Sequence, residues 1–194
     1  MISQTQTRSA LLAAIALAAP LAVLASNTVQ EPVPTQSDID QSLALVNCKA
    51  DRKAFRMLAF AMRDVQGSGE AKAGWQPIAT EGEADDLPPG GMMGVIAEMR
   101  LPAPVRVFGH ETTRLILSRI SIVAAFDDPD VARELTGTLE LEGRGAEAPP
   151  GGMRVVQTAP EKHGDGIEVI ALVADRVESD PSPISVAGCL YTTR

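Results

Sequence analysis

Two histidines, two cysteines and a row of cations on one helical face are the residues through which this chain could do chemistry. His110 follows Phe108-Gly109 at a predicted strand end, beside Glu111 and Arg114, where a general base could sit. No GxSxG elbow or other nucleophile signature accompanies it, so a small periplasmic hydrolase using His110 as general base is the alternative reading and no catalytic residue is assigned. Glu161, His163 and Asp165 alternate in EKHGDG and offer three metal-binding side chains. Gly164 and Gly166 between them read as a hairpin turn instead. The acidic run Glu81, Glu83, Asp85 and Asp86 lacks the alternating ligands and terminal glutamate of a calcium loop. Met57, Met62, Met92, Met93 and Met99 fall on apolar faces, where thioethers pack rather than ligate. No metal and no cofactor is expected.

The cations carry more. At 100° per residue, Cys48, Phe55, Leu58, Ala59, Met62 and Val65 share one arc, and Lys49, Arg52, Lys53, Arg56 and Arg63 share the opposite one. The chain as a whole has 17 basic and 25 acidic residues, a net charge of −8, so this arc concentrates positive charge against the global field. Phe60 lies among the cations as an apolar contact. The arc reads as a docking surface for an acidic protein or an anionic ligand, in competition with pairing by the chain's own acids. The acidic balance disfavours nucleic acid as a partner. Six aromatic residues are too few for the stacking platforms of carbohydrate or single-strand binders.

The compartment is read from the first residues. Arg8 precedes the apolar run Ala10 to Leu24, and Val23-Leu24-Ala25 presents compact residues to a signal peptidase, so residues 1–25 read as a cleaved signal peptide and the mature chain as starting at Ser26. The run is short and broken by Pro20, which argues against stable membrane insertion. Arginine outnumbers lysine 13 to 4, as GC-rich bacterial codons favour. The expected location is periplasmic, or secreted. There the cysteines are oxidised, and Cys48 and Cys189 allow one pairing, closing a loop worth up to about 5 kcal/mol of chain entropy.

Residues 26–36 read as a flexible tether and 37–194 as a single globular domain. The helix is expected over 48–65 with Asn47 as N-cap; an earlier start at Ser37 is open, as is a strand over 42–48. Residues 66–91 read as loop. Strands follow at 92–101, 105–108, 114–117, 120–126, 138–141, 153–157, 167–177 and 184–191, with a short helix near 128–135 capped by Asp128. Residues 120–126 and 167–174 are apolar on both faces, as in a sheet covered on both sides. Ser185, Ala187 and Cys189 form a small-residue face that a helix could approach. The fold class is α+β: a mainly antiparallel, twisted sheet of about six or seven strands carrying one long amphipathic helix. Pro-Pro-Gly-Gly-Met occurs at 88–92 and 149–153 and reads as two turns of like composition rather than a duplication.

Overall fold

Thr35 begins the first helix, α1 (Gln36–Val46), through a reciprocal cap. Its hydroxyl accepts from the Asp38 N–H at 3.2 Å, and the Asp38 carboxylate accepts from the Thr35 N–H at 2.9 Å. The computed structural model that shows this describes residues 33–68, 70–77, 94–143, 151–161, 165–178 and 182–194, all within one compact unit, Glu31–Arg194. The leader, its cleavage point, most of the tether, the acidic run 81–86 and the first PPGGM segment lie outside the described residues.

α1 ends in a Schellman turn. Lys49 N–H donates to the Ala44 carbonyl at 2.8 Å, Cys48 N–H to the Leu45 carbonyl at 3.0 Å, and Cys48 adopts φ 55°. Glycine usually holds that left-handed position; here a cysteine does, so the sequence contains no stop signal. Asp51 then accepts from the Ala54 N–H at 2.8 Å and starts α2 (Arg52–Ser68). The single helix expected from residue 48 is therefore two helices. Residues 42–46 are helical rather than strand, Asn47 is a C-cap rather than an N-cap, and Cys48 and Lys49 sit in the corner rather than on the α2 faces.

Among the described residues, eight antiparallel strands form one open sheet, one or two more than expected: β1 (Trp75–Pro77), β2 (Val95–Val107), β3 (His110–Ser118), β4 (Ser121–Phe126), β5 (Glu142–Gly143), β6 (Gly151–Pro160), β7 (Ile167–Val177) and β8 (Ile184–Thr193). Their order is β1-β2-β3-β4-β8-β7-β6-β5. β1 was expected as loop, because three residues are too few to display a period of two. β2 joins two expected strands through a register shift between Arg100 and Val105, where Pro102 and Pro104 cannot donate to the ladder. Phe108 and Gly109, with φ 50° and 92°, close the tight hairpin into β3.

The short helix α3 (Val131–Thr138) begins three residues later than expected and runs through Gly137. Asp128 accepts from the Asp130 N–H at 2.8 Å, an Asx turn that precedes the helix rather than capping it. The strand expected at 138–141 is instead the end of α3 and a second Schellman turn, with Glu140 at φ 51°.

The three described helices share one core with the same face of the sheet. Ile39, Leu45 and Val46 of α1, Phe55 and Met62 of α2, and Val131 and Leu135 of α3 pack with Met99, Leu115, Ile122, Phe126, Leu172, Ala187 and Cys189. All six residues of β4 are buried, and Ile116, Val123, Ala125 and Val186 form a smaller apolar cluster on the opposite face. The small-residue face of β8 lets the helices approach. The Ser185 hydroxyl accepts from the Ala132 N–H at 2.9 Å, and Cys189 is bonded to Cys48 across 141 residues of sequence with Cα atoms 5.3 Å apart.

Candidate anion-binding site

Tyr191, two residues beyond Cys189 on the same face of β8, makes the second attachment of the α1–α2 corner. Its hydroxyl donates to the Leu45 carbonyl at 2.8 Å, and its ring stacks on Phe55 with centroids 4.6 Å apart and planes at 8°. Disulfide and tyrosine together set where α2 starts and how it lies over the end of the sheet.

Between α2, the β3–β4 turn and the end of β8 lies a groove of about 360 Å³. Arg52, Arg56 and Arg63 line it from α2, and Arg119 lines it from the turn. The turn is shaped by Ser118, whose Oγ accepts from the Ser121 N–H at 2.9 Å and the Ile120 N–H at 3.2 Å, so that Arg119 projects toward the groove between two buried serines. Phe60, Ile120, Thr192 and Thr193 also line it, as does one carboxylate, Glu161, which is paired with Arg52.

The four arginines differ in state. Arg52 is held by Glu161 at 3.4 Å and Glu168 at 3.3 Å, with its side chain only 15 % exposed. Two carboxylates offset its charge, so it braces α2 against β7 more than it attracts ligand. Arg56, Arg63 and Arg119 are exposed and make no ion pair among the described residues; the Arg63 guanidinium rests 4.9 Å over the Phe60 ring. Lys49 and Lys53, expected on the same surface, are exposed but do not line the groove. Sequence periodicity grouped Arg52, Arg56 and Arg63 but missed Arg119, which is far away in sequence and reaches them only because β4 pairs with β8 beneath α2.

Burial, and secondarily the nearby Asp51 carboxylate, push the Tyr191 hydroxyl well above its ordinary value. The unfolded chain then loses this proton at lower pH than the folded one. Stability is therefore expected to be intact below about pH 10 and to fall above it by up to about 1.4 kcal/mol per pH unit. Tyr191 is the chain's only tyrosine, so tyrosinate absorbance reads it alone. The native protein should ionise at higher pH than the urea-unfolded one, and Tyr191→Phe should remove this contribution to alkaline destabilisation; coincident titrations would refute it.

His110 sits elsewhere. Its Nε2 lies 3.7 Å from Glu134 Oε1 and its ring meets Phe126 edge-on at 5.8 Å, tying the β2–β3 hairpin to α3. Among the described residues no hydroxyl is hydrogen-bonded to it. No group of three His, Cys, Asp or Glu residues converges as a metal site among the described residues, and no described helix is long and apolar enough to cross a membrane. His163 lies outside the described residues.

Searches of protein-family models, curated proteins and solved structures return no match to this chain.

Proposed function

We propose that this protein is an exported bacterial envelope protein, periplasmic or secreted, acting as a non-enzymatic binding domain that takes an anionic partner in the groove beside α2. The observation that carries the reading is the meeting of Arg56, Arg63 and Arg119, all exposed and free of acidic partners among the described residues, in one concavity of a net-negative chain whose lining carboxylate, Glu161, is engaged by Arg52. A guanidinium cluster of this kind offers planar, charge-assisted hydrogen bonds to carboxylate or phosphate. The Cys48–Cys189 bond supports the export reading, since structural disulfides persist in oxidising compartments. Protein recovered only from cytosol with Met1 in place would overturn that part.

Pyrophosphate is a suitable charge probe. Titrated at low salt, it should move the Nε–Hε resonances of Arg56, Arg63 and Arg119, with affinity falling as ionic strength rises. The triple reversal Arg56→Glu, Arg63→Glu, Arg119→Glu should weaken binding more than about tenfold, whereas Lys53→Glu, outside the groove, should leave it within about twofold. Equal binding by wild type and the triple variant would refute the site.

A further inference from the structure

Resting on that reading, we propose that the groove's occupant is an extended acidic peptide segment of a partner protein, which adds as a short strand beside the exposed end of β8. Four features of the groove point to a peptide rather than a compact anion.

First, β8 outruns its neighbour. β4 begins at Ser121, opposite Leu190, and the last bond on that side runs from the Tyr191 N–H to the Ile120 carbonyl. Second, the exposed edge beyond it faces the groove. Successive residues of a strand direct their backbone groups to alternate neighbours. Ile167 and Arg194 exchange bonds at 2.9 and 3.1 Å on the β7 side, so Thr193 directs its N–H and carbonyl to the other side, where Thr192 and Thr193 line the groove. Among the described residues no strand pairs with that edge; the Thr193 carbonyl receives only the Thr192 hydroxyl at 3.3 Å.

Third, the cations without an acidic partner among the described residues are spread out. Arg56 and Arg63 stand two helical turns apart, about 10 Å along the axis, with Arg119 across the groove. A single phosphate-sized anion spans only part of that distance. An extended chain repeats its side chains on one face about every 6.7 Å, so alternate carboxylates can meet separate arginines. Fourth, Phe60 lies between Arg56 and Arg63 and is 56 % exposed, an apolar contact that a small inorganic anion has no means to use. Main-chain pairing would supply affinity, and the arginines and Phe60 would select an acidic segment bearing an apolar side chain.

The test is fluorescence anisotropy with a labelled peptide of about six residues, alternating glutamate around a central leucine. The intact, oxidised protein should bind it in a salt-dependent way. Arg119→Ala and the pair Arg56→Ala, Arg63→Ala should each weaken binding about tenfold or more. N-methylation of the peptide backbone opposite Thr193 should weaken it similarly, and so should Thr193→Pro, which deletes the N–H facing the groove. If that variant misfolds by circular dichroism, the N-methylated peptide tests the other bond of the same pair, from the peptide N–H to the Thr193 carbonyl, on the wild-type protein. Undiminished binding of the N-methylated peptide overturns strand addition. Pyrophosphate binding without peptide binding overturns the peptide proposal while leaving the anion site standing. Failure of both probes overturns the site itself.

Discussion

Breaking the Cys48–Cys189 bond is expected to lower the unfolding free energy by about 3–5 kcal/mol. Its loop spans 141 residues, for which the chain-entropy estimate is about 5 kcal/mol, and removal of native disulfides usually costs somewhat less. The loss should concentrate at the α1–α2 corner, leaving Tyr191 as its remaining side-chain attachment to β8. Which residue replaces Cys48 also matters. At φ 55° an alanine retains the left-handed penalty of about 1 kcal/mol or more, and a glycine relieves it. Urea unfolding should therefore rank wild type above Cys48→Gly, and Cys48→Gly above Cys48→Ala. A wild-type midpoint in Cys48→Ala would show that the bond contributes nothing. Because α2 starts at this corner, opening it should also weaken anion binding in the groove.

Gly188→Ala should destabilise by about 3 kcal/mol. Gly188 faces Val123 where the two central strands pair, and a methyl group there would stand 2.3 Å from the Ile122 carbonyl oxygen and 2.6 Å from the Val123 Cα. Both are backbone atoms of a fully buried strand, so relief requires separating β4 from β8. The same substitution at Gly137 should act in the opposite sense. That glycine is exposed in α3 with nothing within 4 Å of a new methyl, and helix propensity favours alanine by up to about 1 kcal/mol. Thermal unfolding of the two variants gives both signs in one experiment; equal midpoints would sink the close-approach argument at Gly188.

The elements most legible in the sequence were those with a strong period or an unambiguous apolar run. β7 occupies the expected 167–177, β4 and β8 lie within two residues of expectation, and Phe55 and Met62 face the core as their arc requires. Helix ends were the least legible. Both α1 and α3 stop at left-handed residues that are not glycine, Cys48 and Glu140, so the punctuation normally read from composition was missing. β1 and β5 are too short to carry a pattern of their own and exist because longer strands offer them an edge. The site was half legible. Periodicity placed Arg52, Arg56 and Arg63 on one stripe, but it could not distinguish the arginine that two glutamates hold from the two that have no acidic partner among the described residues.

The sequence by itself determined the local patterns: an amphipathic helix with a basic face, strands apolar on both sides, and one possible cysteine pairing. These depend on side-chain period and residue identity, which need no knowledge of distant neighbours. Only the tertiary structure decided that Glu161 and Glu168 neutralise Arg52, that Arg119 joins Arg56 and Arg63, and that β8 extends past β4 beside them, where no strand among the described residues pairs with it. Each of those depends on strand order and register, which bring residues more than fifty positions apart into one groove, and no local signal encodes that meeting.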